Sequence, residues 1–160
     1  MRDIDLLIAN LVTSPDILEN FLHHIPRSIM KRRRILGKWS IHEHACHLAV
    51  VQPMLYDRLV RFKTEECPEF KAYIPGKNVP DSMLIELDLD ESLQKFREER
   101  KKLVELISDF SDTDWENEGK HPEYKMYSSY ILVRHILMHD HLHMYRIEEQ
   151  WITNDEYLRQ

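Results

Sequence analysis

The stretch from His135 to Ile147 contains no glycine or proline and carries four of the chain's ten histidines: His135, His139, His141 and His143. Its apolar residues keep helical spacing. His139 and His143 stand at i and i+4, one turn apart and about 40° apart around the axis. Leu132, Ile136, Ile147 and Trp151 fall on that same face, which is the stripe that should turn inward. His135 flanks the stripe near Leu142 and Arg146. His141 points almost the opposite way, beside Arg134 and Glu148. Two imidazoles are thus aimed at an interior and one at solvent.

A buried imidazole needs partners for both ring nitrogens. Two readings follow from the pair. Either they are core histidines bonded to neighbouring side chains, or they are two ligands of one metal, as where H-x-x-x-H sits on a helix. A protease is poorly supported. In H-E-x-x-H a glutamate follows the first histidine, whereas here the residue is Asp140 and no glycine-marked third ligand follows.

The rest of the composition favours helices. The 160 residues suit one domain, 1–160, with a sizeable core, and three glycines are too few for a turn-rich β protein. A formal net charge of −6 argues against general nucleic-acid binding. No apolar run approaches the roughly 20 residues of a membrane span, and no signal-peptide pattern opens the sequence. Cys46 and Cys67 form no metal or redox motif. The expected setting is a reducing cytoplasm with both thiols free.

Four helical segments emerge along the chain. Residues 3–12 read as a turn or two. Ser14 then reads as an N-cap with Pro15 at the first helical position, and the helix continues to His24. His23 and His24 close it without a further role. Residues 26–38 form a connection whose Lys31–Arg34 run invites a nucleic-acid reading but is better read as a solvated loop in an acidic protein, with an anion-binding rim near a pocket as a third reading. Ser40 and Glu43 have capping-box spacing and open a second helix to about Phe62, interrupted by Pro53. Its inward stripe includes His47, Val51 and Leu55. His44 is on the edge of that face, and His42 is off it. Residues 64–89 are the longest break, of a length that implies a crossover between helices, onto which Phe70, Tyr73 and Ile74 should pack. Asp90 reads as the cap of a third helix, about 91–109, with Phe96, Arg100, Leu103 and Ile107 inward. Ser128 or Ser129 caps the fourth, which ends near Ile152. The fold class is all-α, a four-helix bundle.

Three inward histidines stand out: His47 on the second helix, and His139 and His143 on the fourth. Neutral imidazole suits zinc, nickel or iron. Three nitrogen ligands leave coordination positions open, and such a metal lowers the pKa of a bound water or thiol. Spacing alone does not pair His47 with the other two.

Two motifs carry a resemblance across essentially the whole chain. Trp39-Ser40-x-x-Glu43-x-x-x-His47-Leu48 and His139-Asp140-x-x-His143, followed by Ile147, resemble the DinB/YfiT-like superfamily of helical-bundle metalloproteins. The resemblance implies a four-helix bundle of unusual helix order, which fits a long crossover between the second and third helices. It also implies a metal held by His47, His139 and His143, and a homodimer. Characterised members include thiol S-transferases that use bacillithiol, mycothiol or glutathione, and a mycothiol-dependent maleylpyruvate isomerase. Arg146 departs from the pattern, since such proteins often have Gln there. It suits a carboxylate of an anionic substrate or of a partner subunit. Glu43 is a capping-box residue, with a fourth ligand or an acceptor behind a ligand as the alternative. Asp140 either orients a ligand imidazole or is solvated.

The expected function is therefore a metal-dependent thiol S-transferase that joins a low-molecular-weight thiol to small electrophiles. The divalent metal is zinc first, with nickel or iron as alternatives, and neither nucleic acid nor membrane is a partner. Metal-dependent hydrolysis and a non-catalytic, stress-associated interaction protein are the competing readings.

Overall fold

A computed structural model describes residues 3–72 and 81–158. In chain order the helices are α1 (Ile4–His23), α2 (Arg27–Met30), α3 (Ile41–Val50), α4 (Gln52–Thr64), α5 (Asp81–Leu84), α6 (Leu89–Ser108), α7 (Asp112–Glu116) and α8 (Ser129–Ile152). A 3-10 turn follows at Asp155–Tyr157. No strand forms among the described residues, only two isolated bridges, Glu69–Lys120 and Glu118–Ser128.

Four rods make the bundle: α1, α3 continued by α4, α6, and α8. α1 packs against α6 and α8, and α3–α4 packs against the same two helices. The rods α1 and α3–α4 therefore occupy opposite corners. One end of the core gathers Leu7 and Leu11, Leu55 and Phe62, Leu103 and Ile107, and Leu132 and Ile136. The other end gathers Leu18 and Leu22, Ile41 and Leu48, Leu89 and Phe96, and Met144 and Ile147. It follows that α1 and α8 run one way and α3–α4 and α6 run the other. Since α3–α4 and α6 are parallel neighbours, the chain must travel back along the bundle between them. That return is the physical reason for the long connection, 65–88, which the sequence marks as a crossover. Its first part is pinned where Phe70 N–H donates to Lys120 O at 2.8 Å and Lys120 N–H donates to Pro68 O at 2.9 Å. Gly119 permits this approach, because a Cβ there would lie 2.8 Å from Pro68 O. Phe70 is buried as expected. Tyr73 and Ile74 lie outside the described residues.

Several helix limits differ from the sequence reading. α1 is continuous, with Pro15 inside it, and Ser14 is no N-cap. An interior proline costs a helix about 3 kcal/mol. Leu7, Leu11, Leu18 and Leu22 keep one stripe in step across it, and all four are buried. Each such burial stabilises by about 2 kcal/mol, so a break that put the two halves out of step would cost more than the proline does. The second rod divides at Val51, two residues ahead of Pro53, which lacks an N–H to continue the ladder. The Ser40–Glu43 capping box forms. Asp88, not Asp90, caps α6, accepting from Glu91 N–H at 2.9 Å. Asp90 instead pairs with Arg27 on the surface. Ser128 caps α8, which ends at Ile152.

α3 sits between α6 and α8 and is buried on almost every side. His42, expected off the inward face, is consequently buried, with its Nε2 3.5 Å from Cys46 Sγ. Among the described residues no helix is long and apolar enough to cross a membrane.

Candidate metal centre

The Ser40–Glu43 capping box opens α3, and four residues beyond Glu43, His47 faces α8. There it meets His139 and His143, which α8 presents one turn apart. His47 Nε2 lies 3.3 Å from His139 Nε2, and His143 Nε2 lies 3.1 Å from His139 Nε2. One ring nitrogen from each of the three lies within 4.8 Å of the others. Two nitrogens bound tetrahedrally to one zinc at about 2.0–2.1 Å would stand about 3.3 Å apart. The three imidazoles therefore already have the spacing of a ligand set.

Hydrogen bonding between the rings does not account for this arrangement. A ring nitrogen carries either a proton or a lone pair, so it donates or accepts but does not do both. His139 Nε2 faces two other Nε2 atoms and can bond only one of them. Its Nδ1 has no hydrogen-bond partner among the described residues. A cation between the three would accept every lone pair. The donor set thus fits a divalent metal and leaves coordination positions open, as catalytic rather than structural sites do.

The surroundings prepare these rings as neutral ligands. Burial, the largest cause, lowers the pKa of His47 to about 3 and that of His139 to about 4. It depresses His143 further, with the other imidazoles adding to the effect. His44 Nδ1 lies 2.8 Å from His143 Nδ1. With His143 Nε2 free to bind, its Nδ1–H donates to His44, which fixes both tautomer and ring plane. His44 is itself lowered to about 4, first by burial and then by the charge of Arg146. Trp39 walls the site, its ring 4.7 Å from that of His47 and stacked 5.9 Å from that of His143. Gln150 anchors the Trp39 backbone, donating to its carbonyl at 2.7 Å.

His44, which the sequence places at the edge of the inward face, is the fourth histidine in contact with the cluster. The available signal was its i, i+3 relation to His47, which puts both imidazoles within one turn of α3. His135 and His141 are exposed, and His135 is absent from the converging set. Glu43 has both oxygens engaged. Oε2 accepts from Ser40 N–H, Ser40 Oγ–H and Arg33 Nε–H at 2.8, 2.7 and 2.9 Å, and Oε1 accepts from Arg33 Nη2. Two residues of the basic run are occupied: Arg33 on Glu43, and Arg34, which donates to the carbonyls of Gln150 and Thr153 and to Asp155 in the following 3-10 turn. Asp140 is neither solvated nor bonded to a ligand imidazole. It is fully buried against Arg100 and Ser14.

Beside the histidine cluster, a cleft of about 930 Å³ is lined by Trp39 and His44 and by Lys38, Arg146, Glu148 and Glu149. Arg146 is exposed there and pairs with Glu149 at 2.7 Å. His47, His139 and His143 do not line this cleft, but Trp39 and His44, which do, contact His47 and His143.

Fold and site together define a class: an up-down-down-up helical bundle with three converging imidazoles between two of its rods. The chain belongs to the DinB superfamily, whose family profile matches residues 10–147. It is similar in structure to YfiT from Bacillus subtilis, described as "a probable metal-dependent hydrolase with an unusual four-helix bundle topology". The TM-score is 0.77 at 21% sequence identity, over 94% of this chain and 87% of YfiT. That similarity establishes the shared fold. No curated protein matches the sequence.

Proposed function

We propose that this protein is a metal-dependent enzyme for small molecules, with a low-molecular-weight thiol as cosubstrate. The observation that carries the metal reading is that His47 and His143 Nε2 lie 3.3 and 3.1 Å from His139 Nε2, with one ring nitrogen of each of the three within 4.8 Å of the others. A divalent metal held by these three nitrogens, zinc first, supplies Lewis acidity that makes a deprotonated water or thiol available at neutral pH. The chain's own residues do the rest. His44 holds the proton on His143 Nδ1, and Trp39 keeps water from one side of the centre. Lys38 and Arg146 offer cations to carboxylates, and Glu148 and Glu149 offer anions to an ammonium group. This mixed lining suits a zwitterionic, amino-acid-derived thiol better than a neutral ligand.

Hydrolysis is the second reading, favoured by the description of YfiT. One set of assays separates the two. The purified protein, with its metal content measured, is loaded with zinc, nickel or iron(II). It is then offered an aryl halide with cysteine, glutathione or another small thiol, and separately an activated ester without thiol. Thiol-dependent conjugation is expected. Ester cleavage without thiol, and no conjugation, would replace the transferase reading by hydrolysis. Neither activity in the metal-loaded protein would favour an interaction role.

A further inference from the structure

Each of the four rods sends one polar side chain to the middle of the core. Ser14 comes from α1, Gln52 from α4, Arg100 from α6 and Asp140 from α8, and all four are buried. Arg100 Nη1 and Nη2 donate to Asp140 Oδ2 and Oδ1 at 2.5 and 3.0 Å, and Ser14 Oγ–H donates to Oδ2 at 2.7 Å. Arg100 Nε–H donates to Gln52 Oε1 at 3.2 Å, and Gln52 Nε2–H donates to Leu48 O at 2.9 Å. The guanidinium also lies over the Phe96 ring, 4.8 Å from its centroid. This layer separates the two apolar halves of the core.

We infer that Arg100 and Asp140 are positioning residues for the histidine centre: through them the layer fixes the rotation and height of α8 against α3. The inference rests on the metal reading above. Asp140 follows His139 directly, and Gln52 bonds the carbonyl next to His47, so the network joins the two backbones that carry the ligands. Apolar contacts are non-directional and would tolerate a small slide or roll of α8 past α3. A slip of one residue would move each α8 side chain about 1.5 Å along the axis and about 100° around it, which would scatter the three Nε2 atoms. A forked guanidinium–carboxylate pair tolerates no such slip. Energetics points the same way. A buried ion pair seldom stabilises a fold better than apolar side chains of similar volume would. What this pair adds is a single register, and that register is what brings His47 and His143 to 3.3 and 3.1 Å from His139.

The test replaces the pair by apolar side chains, Arg100→Met with Asp140→Leu, in the full chain. Zinc affinity, the visible spectrum of the cobalt(II)-loaded protein and the melting of the metal-free form are compared with wild type. The double variant should melt cooperatively, bind zinc at least tenfold more weakly and show an altered cobalt spectrum. Arg100→Lys, which keeps the charge without the fork, should fall between. If the double variant does not fold, Ser14→Ala removes one bond to Asp140 and leaves the ion pair. It should still weaken zinc binding about threefold. A folded double variant with wild-type affinity and spectrum, or failing that a Ser14→Ala protein with both unchanged, overturns the inference. Wild-type protein that binds no divalent metal overturns the metal reading itself, and is recognised before any variant is compared.

Discussion

His139 and Asp140 are neighbours in sequence but belong to two buried polar clusters of opposite character. Asp140 lies in a charged layer in which the guanidinium, carboxylate, hydroxyl and amide all find partners. His139 lies in a neutral cluster in which three nitrogens face one another and its own Nδ1 has no hydrogen-bond partner among the described residues. A satisfied buried network makes a core unique. An arrangement of converging lone pairs leaves free energy to be gained by a cation. The same helix thus carries one cluster that is complete as folded and one whose converging nitrogens could hold a metal ion.

The largest expected effect is on the charged layer. Arg100→Ala should lower stability by about 3–5 kcal/mol, because it strands a buried carboxylate. For a chain of this size that is a drop of about 10 °C in melting temperature, to be read by calorimetry on the metal-free protein. His143→Ala should invert the pattern. It should weaken zinc binding more than about a hundredfold, since one of three nitrogen ligands is gone. The metal-free fold should be nearly unaffected. Metal analysis and titration calorimetry decide this one, with exposed His141→Ala as the control that keeps wild-type affinity. Equal occupancy in the two variants would erase the distinction between the clusters.

A smaller effect is expected at His44. Removing the group that orients a metal-binding histidine costs about 10–100-fold in affinity, so His44→Ala should fall near tenfold. A loss as large as that of His143→Ala would make His44 a ligand in its own right.

Acidification gives the smallest effect on binding and a distinct one on folding. Unfolded imidazoles ionise near 6.5, whereas in the fold His47 ionises at about 3 and His139 at about 4. Between pH 6.5 and about 4 the unfolded chain therefore binds more protons than the native one. Stability of the metal-free protein should rise with pH across that window and be lost as pH falls through it. Zinc affinity should stay level from about pH 7 to 5, because the folded ligands remain unprotonated there. Titrations at pH 7 and 5 and melting curves from pH 7 to 4 measure both. A tenfold loss of affinity by pH 5.5 would mean that the imidazoles titrate near their ordinary value.

The charged layer also shows where the sequence was misleading. Ser14 ahead of Pro15 carries the local signature of a helix start, yet its hydroxyl donates to Asp140, 126 positions away. Asp88 and Asp90 are equally good caps by local chemistry. Helix register against Arg27 and the crossover decided between them. Arg100 on an otherwise apolar stripe was the visible signal of a buried charge, but nothing local named its partner.

Readable from the sequence were the four main helical segments, though not all their limits, the inward faces of His47, His139 and His143, and the capping box at Ser40 and Glu43. These depend on interactions within a few residues, where spacing and rotation follow from 3.6 residues per turn. The parallel course of α3–α4 and α6, the contact of His44 with His143 and the polar layer shared by four rods emerge only when the whole chain is folded. Each of these pairs residues far apart in the chain, such as His44 with His143. No local propensity encodes such a distance. It is set when the apolar faces of all four rods are buried at once and the few directional bonds among them select one register.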